Sequence, residues 1–341
     1  MWDKLQKATK PIVLYGTGNA AEKIIAELNK RNIAIAGIFA SDGFVRSRTF
    51  AGYPVISYQE AKEKFGDMIV LLCFGSHLPE VIENIKLINE EQEMYAPDLP
   101  ILGDGLFYEE YSKNKEQFDA LKERLADDKS REVLAEVVQY KLDGRINHLL
   151  SCETDDNENW GILGLNSKEV YLDLGAYNGD TVRQFLGLTG MKYKEIIAIE
   201  PEARNFRKLS ENTADLKDIF LVNKAIGHVQ TEVMFTKSTG RGGAVGKGKQ
   251  YPVEMDTVDN ILSGKPVSFI KMDLEGYEQR AILGAKETIS KYKPKMLISA
   301  YHQNDDLWMI PKLVLEINPE YKVYLRKSPC LPAWEVNYYF I

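Results

Sequence analysis

Residues 170–181 read VYLDLGAYNGDT: an apolar run, a turn carrying two glycines, and an acidic residue opening a helix. That order, strand then turn then helix, is the unit from which parallel sheets are built. A helix N-terminus normally favours an anion. Here Asp173 stands at the strand end and Asp180 at the helix start, so a pyrophosphate would be repelled and a ligand bearing an ammonium group attracted. S-adenosylmethionine is such a zwitterion.

Downstream, EIIAIEP ends a strand at Glu200, where a carboxylate accepts hydrogen bonds from both hydroxyls of an adenosine ribose, as the acid does in dinucleotide folds. The alternation continues through a helix at 203–212, IFLVN, VSFIKMD, a helix after Gly276, KMLISAY and a helix at 307–317. YKVYLR and EVNYYFI flank SPCLPAW and read as a hairpin on the sheet edge. A parallel sheet is therefore expected from residue 170 onward. In MDTVDNIL, Asp256 fits a helix N-cap and a structural role. The segment 238–250, STGRGGAVGKGKQ, holds five glycines and almost no apolar side chains, which predicts a loop: a lid over the acceptor or a surface hairpin.

Upstream, residues 11–105 form a first series: PIVLYG, a helix at 19–31, IAIAGIF, GYPVI, a helix at 58–65 and MIVLLCFG. This βαβ pattern predicts three or four strands, about half of a dinucleotide fold. Its turn, YGTGNAA, places Gly16, Gly18 and Ala21 as G-x-G-x-x-A, with Asn19 opening the helix. Two readings stand: a nucleotide or nucleotide-sugar site, with Asp42 as the ribose partner, or glycines that close a turn. Asp42 lies farther along than the usual ~20 residues. Between 106 and 160 the strands give way to charged sequence with Leu121, Leu125, Val133, Val137 and Tyr140 at helical spacing. The expected organisation is a nucleotide-binding-type α/β domain at 1–105, a helical connector at 106–165 and a second α/β domain at 166–341.

Composition narrows the function classes. With 341 residues, 44% hydrophobic and 27% charged, the chain is ordinary globular protein long enough for two cores. The net charge, 43 − 50 = −7, and the lack of a long Lys/Arg run disfavour nucleic acid and anionic membranes. The longest apolar run, MIVLLCF at 68–74, is far short of the ~20 residues that span a bilayer. MWDKLQKATK has no apolar signal-peptide core, so a cytoplasmic protein is expected. Cys73, Cys152 and Cys330 are odd in number and widely spaced, which fits unpaired thiols.

Taken together, VYLDLGAYNGDT, IIAIEPEARNFRKL, LVNKAIG, VEMDTVDNIL, SFIKMDLEGYEQRAILGAKETI and KMLISAYH resemble the FkbM family of class I S-adenosylmethionine-dependent methyltransferases. KMDLEGYE followed by AILGA is the most specific of these strings. The resemblance implies a seven-stranded Rossmann-like sheet and methyl transfer to a hydroxyl of a small-molecule, sugar or glycan-precursor acceptor. It implies that Asp173, Gly175, Tyr177, Asn178, Gly179, Asp180 and Thr181 enclose the methionine part of the cofactor. Glu200 and Pro201 would lie at the ribose, and Asn223, Lys224 and Ala225 near the adenine. Residues 1–105 fall outside it, similar only to generic half-Rossmann domains.

Ligands in open α/β sheets sit beyond the carboxyl ends of the strands, where IKMDLEG places Asp273 and Glu275 and LISAYHQ places His302. Alcohol methylation needs a base or a metal. The expectation is that His302 or Asp273 acts as base and the other acids orient it, although Glu275 would also suit a helix start. A magnesium site from Asp273, Asp305 and Asp306 is conceivable; no metal is expected, since Asp305 and Asp306 simply begin the next helix. The competing functions are a NAD- or nucleotide-sugar-dependent oxidoreductase or epimerase working at Gly16 and Gly18, and a cofactor-sensing scaffold.

Overall fold

A computed structural model describes residues 1–41, 49–236 and 250–341. Asp42 and the glycine-rich residues 238–249 lie outside the described residues.

Two open sheets carry the architecture. The first has six strands in the spatial order Thr49–Phe50, Tyr53–Ser57, Gly37–Ala40, Ile12–Tyr15, Ile69–Leu72, Glu93–Tyr95. All its pairings are parallel except the short hairpin between the first two. Its central strands are buried at every residue, which is why they read as unbroken apolar runs. Six strands exceed the three or four expected. The extra ones are two and three residues long, too short to show a period.

The second sheet has seven strands, ordered Val323–Lys327, Val336–Phe340, Lys295–Ser299, Phe269–Met272, Val170–Leu174, Glu195–Ile199, Ile219–Val222. Only Val336–Phe340 runs antiparallel. This is the doubly wound, Rossmann-like arrangement expected. Its strand order reverses between Val170–Leu174 and Phe269–Met272, and such a switch point opens a crevice at the carboxyl ends.

A small third sheet joins Ala225–Ile226, Thr231–Thr236 and Gln250–Asp256, an element the sequence reading did not anticipate. The helix after it is capped by Thr257, whose side chain accepts from the Asn260 amide. Asp256, the expected cap, is one residue too early; it receives Lys224 Nζ and the Thr257 amide.

Four helices lie between the sheets in sequence: Phe107–Arg124, Asp128–Asp143, Ile146–Ser151 and Asp156–Gly161. Their apolar faces fuse the halves, since one buried cluster runs from Val13 and Val70 through Phe107, Phe118 and Val137 to Leu172 and Ile298. The contact is specific as well as apolar. Ser76 and Leu331 exchange two backbone hydrogen bonds at 2.7 and 3.0 Å, and the amides of Ile101 and Leu102 both donate to the His302 carbonyl at 3.0 and 3.1 Å. Cys73, Cys152 and Cys330 are buried and form no disulfide, and no helix among the described residues is long and apolar enough to cross a membrane.

Candidate active site

The turn after Val170–Leu174 is shaped by close approach. Gly175 has φ +83°, and a Cβ there would lie 1.9 Å from the backbone oxygen of Asp273. Only glycine fits, and the fit presses the turn against the end of the neighbouring strand. Gly179, at φ +89°, caps the helix Asp180–Leu188. Asp173 is fully buried and braces the turn from beneath: Thr181 Oγ1 donates to its Oδ2 at 2.5 Å, and Lys271 Nζ lies 3.7 Å from Oδ1. Burial raises the Asp173 carboxyl above its usual range, with Lys271 opposing.

Glu200 leaves the adjacent strand with 6% of its surface exposed. Its two oxygens accept from the amides of Tyr177 at 3.0 Å and Glu202 at 2.9 Å, which fixes the carboxylate at the cleft wall. Burial pushes it up to about 7. Asp180, Thr181 and Pro201 line the same wall. Asn178 supports the turn, its side chain accepting from the Asp180 amide and its carbonyl from Asn212. Asn223 is exposed and donates to the Glu200 and Pro201 carbonyls, and Lys224 is paired with Asp256, so of 223–225 only Ala225 reaches the cleft.

Across the switch point, a buried charge cluster gathers at the ends of Phe269–Met272 and Lys295–Ser299. His302, 1% exposed, has Nε2 3.5 Å from Asp273 Oδ1 and 3.8 Å from Glu275 Oε2, while Nδ1 is 3.0 Å from Glu278 Oε1. Burial opposes the imidazolium, but Glu278, Asp273 and Glu275 outweigh it and hold His302 protonated, at about 10. Burial also lifts Glu275 to about 7. Glu275 does not cap the following helix. Glu278 accepts the Leu274 amide at 2.6 Å instead, and Glu275 sits at φ +52°, a conformation costly for a non-glycine residue. Lys271 completes the cluster 3.9 Å from Asp273 Oδ2 and donates to the Gly175 carbonyl at 3.2 Å. Burial works against its charge, and Asp173 and Asp273 more than restore it.

Both ends belong to one cleft of about 1090 Å³, which also reaches the first sheet at Gly18 and at Gly75–His77. The geometry gives Gly16 a packing reason, while a Cβ on Gly18 would meet only the Cys73 carbonyl at 3.9 Å. A Cβ on Gly16 would strike the Phe74 ring at 2.4 Å, and Gly18 is the extended N-cap of the helix Asn19–Lys30. Lys23, in that helix, is committed to the carbonyls of Pro100 and Ile101.

Residues 173–326 match the family model described as the methyltransferase FkbM domain. This stretch is an FkbM methyltransferase domain. It takes in Glu200, Asp273, Glu275, Glu278 and His302, and its cofactor is S-adenosylmethionine. A solved structure, methyltransferase FkbM from Methylobacillus flagellatus KT, is 23% identical with a TM-score of 0.77, covering 97% of this chain and 90% of that one. The first sheet and the helices thus share its fold along with the FkbM domain. Aeropyrum pernix fibrillarin, solved with natively bound S-adenosyl-L-methionine, and precorrin-6y C5,15-methyltransferase from Geobacter metallireducens GS-15 are 12% and 13% identical. Each covers 54% of this chain and 74% and 84% of its own, at TM-scores of 0.36 and 0.35. A comparison with curated proteins gave no significant match.

The cleft of the FkbM domain fits this cofactor. Carboxylates of Asp180, Glu200 and Glu202 line it, and an acidic wall suits a sulfonium and an ammonium group. A metal has one candidate group among the described residues, Asp273, Glu278 and His302, whose ligating atoms lie within 4.8 Å of one another. Asp305 and Asp306 are separate: both accept from Gln279 Nε2, and Asp306 also takes the amides of His302 and Gln303. Glu278 was not singled out from the sequence; its spacing of three from Glu275 within LEGYE was the available signal.

Proposed function

We propose that this protein transfers a methyl group from S-adenosylmethionine to a hydroxyl oxygen of a small-molecule acceptor, with Asp273 as the base. The observation that carries this is that Gly175 packs against the backbone carbonyl of Asp273, and Lys271 Nζ links the turn to the acid, 3.2 Å from the Gly175 carbonyl and 3.9 Å from Asp273 Oδ2. In that reading the bound cofactor supplies an electrophilic methyl on sulfur, and displacement requires the acceptor oxygen in line with it.

The residues divide the remaining work. Glu200 holds the ribose, and the turn from Gly175 to Thr181 encloses the methionine part. Asp273, 31% exposed at its side chain, faces the cleft and takes the hydroxyl proton as the C–O bond forms. His302, already protonated, cannot accept one. Its Nε2 orients Asp273, Glu278 fixes the ring from behind, and Glu275 shares the charge. Residues 1–105 close the cleft through the 97–102 segment bonded to His302.

The test is Asp273→Asn assayed with any accepted alcohol. Turnover should fall by roughly 10²–10⁴, the usual worth of a general base, with S-adenosylhomocysteine affinity unchanged; full turnover would remove Asp273 from this role.

A further inference from the structure

We propose that the acceptor is a cationic, amine-bearing alcohol of amino-sugar size, held between the two sheets with its ammonium group between Asp156 and Glu335 and its body against Trp334. This rests on the methyl-transfer reading above and names the substrate class of the same site.

Size and charge are the first grounds. Pockets for one small ligand usually span about 300–1,000 Å³, so a cleft of about 1090 Å³ has room for an acceptor beside the cofactor. Its described lining holds eight carboxylates against two lysines. Lys271 is held by Gly175 and the acids, and Lys23 spends two of its three N–H donors on carbonyls. A phosphorylated or nucleotide-linked acceptor would meet repulsion here.

The far wall offers what an ammonium ion seeks. Trp334 is 39% exposed in a segment whose neighbours Ala333 and Val336 are buried. One part of its ring packs on Gly75 of the first sheet's side, where a Cβ would lie 2.4 Å from the indole. An accessible indole beside carboxylates is a recognised cation receptor. Glu335 follows directly and lies within electrostatic reach of Asp273 and Asp156; burial and then Asp273 raise its carboxyl, a cost that a bound cation relieves.

The experiment is calorimetric titration of the full chain, saturated with S-adenosylhomocysteine, using glucosamine, glucose and glucose 6-phosphate as probes. Glucosamine should bind at least about tenfold more tightly than glucose, as one net ion pair requires, and glucose 6-phosphate most weakly. Glu335→Gln and Asp156→Asn should erase the preference for glucosamine. Gly75→Ala, which displaces the Trp334 ring, should weaken all three probes without moving the S-adenosylhomocysteine affinity. Tightest binding by glucose 6-phosphate, or no glucosamine binding to the saturated protein, overturns the proposal while leaving the methyltransferase intact. Failure of S-adenosylhomocysteine itself to bind overturns both.

Discussion

Glu278 Oε1 stands 3.0 Å from His302 Nδ1, and neither side chain is reached by solvent. Glu278 is thereby the acid that decides the charge of the histidine, and through Nε2 that charge bears on Asp273 and Glu275. Removing the back partner of a buried charge pair is costly because the other charge is left uncompensated.

Glu278→Gln should therefore lower the His302 titration from about 10 and reduce turnover, with cofactor affinity unchanged. NMR titration of the His302 ring alongside kcat measures both. A variant with an unshifted ring and full kcat would show that Glu278 serves packing alone.

Gly175→Ala places a methyl group into the Asp273 carbonyl. The strand ends must part, so the variant should lose both melting temperature and S-adenosylhomocysteine binding. Gly66→Ala is the control: its Cβ meets nothing within 4 Å at a similarly positive φ of +65°, so it reports backbone strain without the clash.

Stability should fall as pH rises. Glu200, Glu275 and Asp306 sit at about 7 in the folded chain, against ordinary values near 4.5 or below, because burial penalises their charge. An acid raised on folding stabilises fully below its unfolded value and loses that contribution as pH climbs through the folded one. The cofactor-free protein should lose melting temperature between pH 5 and 8, and Glu275→Gln should flatten this, since its shift corresponds to on the order of 3 kcal/mol. His302 adds a loss in the same direction toward pH 10. An unchanged slope in the variant would contradict the assignment to Glu275.

Exhaustive chelation should leave methyl transfer intact, because the acids around it hold His302 protonated in the cluster with Asp273 and Glu278. Activity assayed after chelation and again with magnesium restored checks this; loss reversed by magnesium would place a metal there.

Most of the second sheet was legible because its strands, Ile219–Val222 apart, are buried at nearly every residue and separated by helices of clear period. Glu93–Tyr95 and Thr49–Phe50 were not, since two or three residues carry no periodicity. In the site, Asp173, Glu200, Asp273 and His302 could be located because strand ends can be read from apolar runs. Their environments could not. Asp173 lies beneath the turn, neighbouring acids hold His302 in its charged form, and Phe74 packs where a Gly16 side chain would stand, all consequences of neighbours distant in the chain. Trp334 and Tyr140 join the cleft only through the docking of the two sheets, which no local pattern announces.

The central claim is that the cleft beside Glu200 binds S-adenosylmethionine. Calorimetric titration of the wild-type chain and of Glu200→Gln with S-adenosylhomocysteine, with NAD and a nucleotide sugar in parallel, tests it most directly. The account predicts micromolar S-adenosylhomocysteine binding in the wild type, a loss of roughly 10–100-fold in the variant from the ribose hydrogen bonds to a charged group, and no NAD signal. Binding of NAD alone, or S-adenosylhomocysteine binding indifferent to Glu200, would contradict it.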